Sequence, residues 1–309
     1  MTKVFIDGRE GTTGLRITER LSARNDIELL LIDEALRKNP EARREMINKS
    51  DITFLCLPDA AAKEAVAMAD ERVRIIDAST AHRTLPNWAY GFAELSAAHG
   101  RAIETGNRIA VPGCHASGFN ALVYPMVASG MMGADYPVVC HSITGYSGGG
   151  KKMIAQYQDD GRDEELSSPR QYGLTQMHKH LKEMQFVPKL SQAPIFNPIV
   201  ADYYAGMVVT VPVFTSLLSG KPALADIKKM FSDHYAGQKM VQVVSTTDTA
   251  KLYANAKAGQ DTLSLIVAGN DEQFTITALF DNLGKGASGA AIQNMNILLG
   301  LDEATGLNV

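Results

Sequence analysis

Lys3-Val4-Phe5-Ile6-Asp7-Gly8-Arg9-Glu10-Gly11-Thr12-Thr13-Gly14 begins as a short apolar run, passes through three glycines spaced by three, and leads into the amphipathic stretch 15–23. Residues 3–6 read as a buried strand and 15–23 as a helix. A strand that ends in a glycine turn and feeds a helix N-terminus makes a pyrophosphate cradle, because free backbone N–H groups and the helix dipole converge there. The spacing is GxxGxxG rather than GxGxxG, so the flanking strand and helix carry the reading more than the glycines do. Gly8, Gly11, Thr12, Thr13 and Gly14 are the candidate phosphate contacts.

Outward from that turn, residues 27–32 form a second apolar run ending at Asp33. An acid about 20 residues past the glycines suits the ribose hydroxyls of NAD. Arg37 and Lys38 follow within a turn and suit a 2′-phosphate instead. Arg37 is the stronger candidate, since a guanidinium grips phosphate with two bonds, and the expected cofactor is NADP(H). Runs 52–57 and 73–76 are further strands, separated by the alanine-rich helix 60–69. Strands alternating with helices imply a parallel sheet whose ligands bind beyond the carboxyl ends of the strands. Pro58, Ser79 and Thr80 leave those ends, and Arg83 is a candidate for holding an anionic substrate.

The run Ala110-Val111-Pro112-Gly113-Cys114-His115-Ala116-Ser117-Gly118 places a cysteine on a turn at the mouth of a helix. Helix N-termini favour the thiolate and can hold a developing oxyanion. Cys114 is therefore the candidate nucleophile, with Ser117 close by for substrate. Residues 138–144 read as a strand feeding Gly145-Tyr146-Ser147-Gly148-Gly149-Gly150-Lys151-Lys152, a loop expected to line the nicotinamide or acyl site and not a P-loop. Its candidates are Tyr146 for substrate and Ser147 and Gly148 for cofactor. Residues 172–184 look helical, which would turn His178 and His180 to different sides. A thiolate needs a proton donor and acceptor near neutral pH; His178, His180 and His141 all qualify, and Glu183 lies one helical turn from His180. Later strands without regular crossovers imply a mixed or antiparallel sheet with one face open to subunit packing. Asn282, in the glycine turn before a last helix, is a candidate for bonding a carboxamide.

The chain has 309 residues and a net charge of −4, with 45% hydrophobic residues, which suits two ordinary globular domains and gives no basic face for nucleic acid. No apolar run spans a bilayer, the first strand leaves no space for a signal peptide, and three cysteines without CxxC spacing suit a reducing compartment, so a cytoplasmic protein is expected.

Four motifs in this order, Gly8-x-x-Gly11-x-x-Gly14, Pro112-Gly113-Cys114, Gly145-x-Ser147-Gly148 and Asp281-Asn282-Leu283-Gly284-Lys285-Gly286-Ala287, resemble the semialdehyde dehydrogenase superfamily. Within it the chain is similar to the shorter form of the N-acetyl-gamma-glutamyl-phosphate reductases. The resemblance implies a Rossmann-type NADP-binding domain (1–113, completed by the C-terminal helix in 286–309) and an α+β, glyceraldehyde-phosphate-dehydrogenase-like catalytic and oligomerisation domain (114–285). It implies NADPH-dependent reduction of an acyl phosphate through a thioester on Cys114; from the residues, no metal is expected, and a homodimer or homotetramer is. Met177-His178-Lys179-His180-Leu181-Lys182-Glu183 is similar to the family's Lys-His-Arg-His-Thr-Pro-Glu, which maps the acid/base histidine to His180 and its neighbour to Glu183; Thr-Pro is replaced by Leu181-Lys182, and the usual aromatic after the cysteine is His115. Aspartate-semialdehyde dehydrogenase, an aminoadipyl-phosphate reductase, a nucleotide sensor without chemistry and a metal hydrolase using His178 and His180 stand as alternatives.

Overall fold

The computed structural model describes residues 1–245 and 251–309. The chain divides into two compact units, Met1–Pro112 with Ala287–Leu307, and Gly113–Gly286 with Asn308–Val309.

In the first unit, apolar runs flanked by glycine and proline become short buried strands: β1 (Thr2–Asp7), β2 (Ile27–Leu30), β3 (Ile52–Leu55), β4 (Arg74–Asp77), β5 (Ala89–Tyr90) and β6 (Arg108–Ala110). They form one sheet in the order β2-β1-β3-β4-β6-β5, with every neighbouring pair parallel. The helices are α1 (Thr12–Ser22), α2 (Pro40–Lys49), α3 (Asp59–Met68) and α4 (Ala97–Thr105). Strand order reverses between β1 and β3, and in such sheets the crevice at the reversal takes the ligand. Gly8 follows β1 at that point with φ +85°, and a Cβ on it would lie 2.4 Å from the Cys56 carbonyl oxygen beyond β3. Only glycine fits there. Ala290, Ala291, Ile292, Met295 and Leu298 of the last helix join the core of this unit. Asn294 Nδ2 of that helix donates to the Gly91 carbonyl at 3.0 Å.

The second unit begins with α5 (Cys114–Ala128), followed by β7 (Val139–Gly145), α6 (Gly150–Gln158), β8 (Arg170–Gln171), α7 (Leu181–Phe186), β9 (Ile195–Ala201), β10 (Met207–Phe214), α8 (Leu224–His234), β11 (Val241–Val243), β12 (Leu263–Gly269) and β13 (Gln273–Phe280); α9 (Gly289–Leu298) is the last helix just described. The seven strands form a mixed sheet in the order β11-β12-β13-β10-β7-β9-β8. One face packs on α5, which is buried along most of its length because it is apolar on all sides. The Tyr235 hydroxyl donates to the Ala121 carbonyl at 2.8 Å and ties α5 to the end of α8.

Two expectations are corrected. The stretch 145–152 is not a loop: Tyr146–Gly149 is a 3₁₀ turn that runs directly into α6. The backbone makes this possible because the amides of Tyr146 and Ser147 donate to the Tyr203 and Tyr204 carbonyls, folding the turn against residues that precede β10. The stretch 172–184 is helical only from Leu181. Gln176 holds Phe196 through both its side-chain carbonyl and amide groups at 2.9 Å each. Tyr172 N–H donates to the Pro198 carbonyl. Gly173 and Gln176 adopt φ +65° and +57°. Bonds to β9 thus outcompete the helix over residues 172–177.

Gly118 shows how tightly α5 sits on the sheet. A Cβ there would lie 2.5 Å from Val209 Cγ2 and 2.8 Å from Phe280 Cε1. Gly118→Ala gains about 1 kcal/mol of helix propensity, but overpacking at such distances costs up to about 3 kcal/mol. A net loss of roughly 2 kcal/mol is expected, read as a lowered urea midpoint; an unchanged midpoint would mean that α5 can back away from β10 and β13.

Candidate active site

Cys114 is the first residue of α5, after the N-cap Gly113 in extended conformation. Its amide and those of the next two residues precede the first intrahelical hydrogen bond, which runs from Ser117 N–H to the Gly113 carbonyl. Ser117 is buried and its hydroxyl also donates to that carbonyl, at 3.2 Å. Glu183, 1% exposed on α7, accepts the Gly113 N–H at 3.1 Å through Oε2. From the other side comes the turn 281–287: a Cβ on Gly286 would lie 3.0 Å from Cys114 Cβ. Asp281 anchors that turn, accepting the Leu283 N–H at 2.7 Å and the Gly259 N–H at 2.6 Å. Asn282 is buried beside it; its Oδ1 accepts the Gly206 N–H and its Nδ2 donates to Ser147 Oγ at 3.0 Å. Gly148 is exposed, with Asn282 Nδ2 3.6 Å from where its Cβ would be. The half-buried Tyr146 stacks on Tyr157, ring centroids 4.6 Å apart.

Three imidazoles, one of them on the residue after Cys114, form a cluster. The rings of His178 and His180 are 4.7 Å apart at 87°, and His115 is 5.5 Å from each. The expectation that His178 and His180 diverge on a helix is therefore corrected; the turn before α7 brings them together, and the His180 N–H donates to His178 Nδ1 at 3.2 Å. His115, to which sequence reasoning gave no role, hydrogen-bonds Ser142 Oγ and the Tyr172 hydroxyl. Burial, and then the charges of His178 and Lys179, lower its pKa to about 3, so it is a neutral ring. Tyr172 was likewise missed; burial first and the charge of Cys114 second raise its pKa. The only sequence signal for either was the histidine standing next to the cysteine. His141 lies on the opposite, exposed face of β7.

The first unit presents a separate arrangement. A cleft of about 280 Å³ is lined by Gly8, Arg9, Arg37, Lys38, Arg43 and Leu57, among others. The Gly11 N–H donates to the Gly8 carbonyl at 3.0 Å, and Gly11 caps α1 without a side-chain bond, so the first amides of that helix face outward from the turn. Gly14 packs on the same turn, its would-be Cβ 2.6 Å from the Gly8 carbonyl oxygen. Thr12 Oγ1 is buried and has no hydrogen-bond partner, while Thr13 is half-buried on α1. A glycine cradle, an unpartnered hydroxyl and four cations fit an anionic dinucleotide. Arg43 is partly spoken for: it forms a buried ion pair with Asp7 Oδ2 at 2.8 Å, and burial still leaves the Asp7 pKa raised. Asp33 caps a 3₁₀ turn by accepting the Ala35 N–H at 2.8 Å. Arg9 was missed because the turn was read for its glycines.

Other candidates sit on neighbouring strand ends. Pro58 is the exposed N-cap of α3. Ser79 is buried and donates both its N–H and its hydroxyl to Asp77. Arg83 donates to the Val111 and Ala78 carbonyls at 2.8 and 3.1 Å, bracing the loop after β4 against the end of β6.

Comparison with known proteins follows this division. Residues 3–103 match the family model described as semialdehyde dehydrogenase, NAD binding domain, and 114–282 match semialdehyde dehydrogenase, dimerisation domain. The chain is 47% identical over 305 residues to the N-acetyl-gamma-glutamyl-phosphate reductase of Sinorhizobium medicae, covering 96% of this chain and 98% of that one. The protein of that name from Brucella anthropi is 47% identical over 306 residues, with the same coverage. Among solved structures, aspartate semialdehyde dehydrogenase from Francisella tularensis superposes with a TM-score of 0.73 at 15% identity, covering 97% of this chain and all of the other. The enzyme from Candida albicans, solved with NADP, gives 0.67 at 15% identity over 97% of this chain and 98% of that one. At that identity the structural likeness speaks for the fold, whereas the sequence relatives cover the whole chain. The chain belongs to the semialdehyde dehydrogenase family and, within it, to the N-acetyl-gamma-glutamyl-phosphate reductases.

Proposed function

We propose that the protein reduces N-acetyl-glutamyl 5-phosphate to N-acetyl-glutamate 5-semialdehyde with NADPH, releasing phosphate, as a step of arginine biosynthesis. The observation that carries the reading is Cys114 at the first position of α5, backed by a cluster of imidazoles, in a chain 47% identical along its length to reductases of that name. The alternative aspartate substrate rests on the fold alone.

In this reading the Cys114 sulfur attacks the acyl carbon, and the amides at the start of α5 hold the oxyanion. His180 gives a proton to the departing phosphate oxygen, and a thioester remains on Cys114. NADPH, when bound, supplies the hydride. The resulting thiohemiacetal collapses, breaking the C–S bond and returning the thiolate as the aldehyde leaves. Glu183 holds the Gly113 amide and so the N-cap that carries the thiol. Asn282 and Ser147 are proposed to face the carboxamide end of the cofactor with Gly148, and Tyr146, Ser117 and Arg83 to bound the substrate. The Gly8–Gly14 turn with Thr12 and Thr13 takes the pyrophosphate, Pro58 and Ser79 flank it, and Arg37, Lys38 and Arg9 take a 2′-phosphate. Asp33, already bonded to its own turn, competes weakly for a ribose.

The dimerisation-domain match agrees with an uncovered apolar sheet face. Register places Val139, Ile143, Ile195 and Phe214 on one side of β7, β9 and β10, and Ile195 and Phe214 are each 57% exposed. We assign this face to a homo-oligomer. Three free thiols suit a cytoplasmic enzyme, and among the described residues no helix is long and apolar enough to cross a membrane.

Three outcomes are expected. Run in reverse with N-acetyl-glutamate semialdehyde, phosphate and NADP⁺, the protein turns over, and Cys114→Ser lowers kcat by ~10³-fold or more while still binding NADPH in a fluorescence titration; turnover with aspartate semialdehyde alone would overturn the substrate assignment. Arg37→Ala weakens NADPH about tenfold and leaves NADH nearly unchanged, read as the ratio of kcat/KM for the two. Ile195→Asp, which buries a charge in any sheet-to-sheet interface, yields monomers in sedimentation experiments where the unaltered protein is oligomeric.

A further inference from the structure

The helix α7 has only six residues, Leu181–Phe186, too few for a helix to hold itself together. Its N-cap, His180, makes no capping bond with its own side chain. The bond comes from two residues upstream: the His180 N–H donates to His178 Nδ1 at 3.2 Å. The backbone of His178 receives the next amide, since the Leu181 N–H donates to the His178 carbonyl at 3.0 Å. His178 thus takes two successive amides at the entrance to α7. The first bond of the helix itself, from the Met184 N–H to the His180 carbonyl at 3.0 Å, follows directly.

An Nδ1 that accepts an N–H must carry a lone pair, so while this bond is made the His178 ring is neutral with its hydrogen on Nε2. The ring has little freedom to turn away. Its centroid lies 5.1 Å from that of Phe196, 5.5 Å from that of His115 and 5.9 Å from that of Tyr172, each ring inclined to it by 60° or more. A Cβ on Gly173 would lie 4.0 Å from its Cδ2.

We propose that His178 is a positioning residue: through Nδ1 it fixes the start of α7, and with it both the His180 imidazole and the Glu183 carboxylate. His180 is the residue whose amide it holds, and the two rings are 4.7 Å apart. Glu183 lies in the same short helix and accepts the Gly113 N–H, one residue before the thiol, at 3.1 Å. This rests on the reading of Cys114 as the nucleophile and His180 as the proton donor.

The test separates the acceptor from the ring. His178→Asn keeps an acceptor where Nδ1 stands and loses the ring, whereas His178→Phe keeps a ring and loses the acceptor. Both are assayed as the full chain, run in reverse with N-acetyl-glutamate semialdehyde, phosphate and NADP⁺, and each is given a urea midpoint. His178→Phe should lower kcat about tenfold or more with the KM for NADP⁺ unchanged, because misplaced reacting groups cost rate and not cofactor binding. His178→Asn should keep kcat within about threefold of the unaltered protein, although its lost ring contacts make it the less stable of the two. Activity then runs against stability, an order that packing alone does not produce. Any outcome in which His178→Asn is not clearly the more active variant overturns the proposal: equal losses would make His178 a proton carrier, and a fully active His178→Phe would leave it a packing residue. If His178→Phe fails to fold, His178→Gln takes its place; its polar atoms reach the position of Nε2 and not that of Nδ1, so the same loss of kcat is expected, and its absence overturns the proposal equally. Full turnover by Cys114→Ser or His180→Ala would instead sink the reading of the site on which the proposal stands, which keeps the two failures distinct.

Discussion

The hydrogen bond from the Gly113 amide to the Glu183 carboxylate governs the geometry around the thiol. A helix start is a place where the chain can fray, because its first amides lack partners within the helix. Here the N-cap amide is held by a buried acid from α7, and the opposite side is closed by the backbone of Gly286. Between them the thiol has little freedom, although it sits at the least constrained end of α5. The same acid places negative charge at the positive end of the helix dipole, where it is stabilised. It takes one amide in doing so and leaves the amides of residues 114–116 directed past it.

The turn 281–287 is held with comparable care. Asp281 bonds the Leu283 and Gly259 amides, and Asn282 bonds Gly206 and Ser147. Two adjacent polar side chains thus fix the end of β13, the approach to β10 and the turn after β7 to one another. Neither is exposed, so every polar atom left unmatched would be costly. These bonds pin the stretch that reads as a glycine turn. Its glycines serve close approach rather than mobility: a Cβ on Gly284 would lie 2.3 Å from the Gln260 carbonyl oxygen.

Local sequence was sufficient for β1 to β4 of the nucleotide unit. The strand, glycine turn and helix at 3–23 appear in that order, and the later strand runs fall within two residues of β2, β3 and β4, because in a parallel sheet each strand is a short, wholly apolar run that needs no partner to be recognised. The cysteine at a helix start was legible for a similar reason, since Pro112-Gly113 cannot continue a strand or begin inside a helix. What sequence could not supply were interactions made across the fold. Residues 172–177 have helical composition, but Gln176 finds a backbone partner in β9, 20 residues away. Asp33 sits at the spacing of a ribose ligand and is consumed by its own turn. The neutrality of His115 depends first on its burial and then on the charges of His178 and Lys179, which periodicity does not encode.

The three cysteines illustrate how one residue type acquires different chemistry from its surroundings. Cys140 is buried on the inner face of β7, and burial alone raises its pKa. Cys56 lies just past β3, where burial and the carboxylates of Asp77 and Asp7 all oppose ionisation. Both are therefore held as thiols near neutral pH, chiefly by desolvation, to which like charge adds at Cys56. Cys114 differs in its setting. It stands at the N-terminus of a 15-residue helix, next to the residue whose imidazole clusters with those of His178 and His180. A thiol meets electrophiles only as its anion, so the fold selects one sulfur by placing the other two where a negative charge would be most costly. Selectivity of this kind needs no special reactivity in Cys114 beyond what a helix terminus and its neighbours confer.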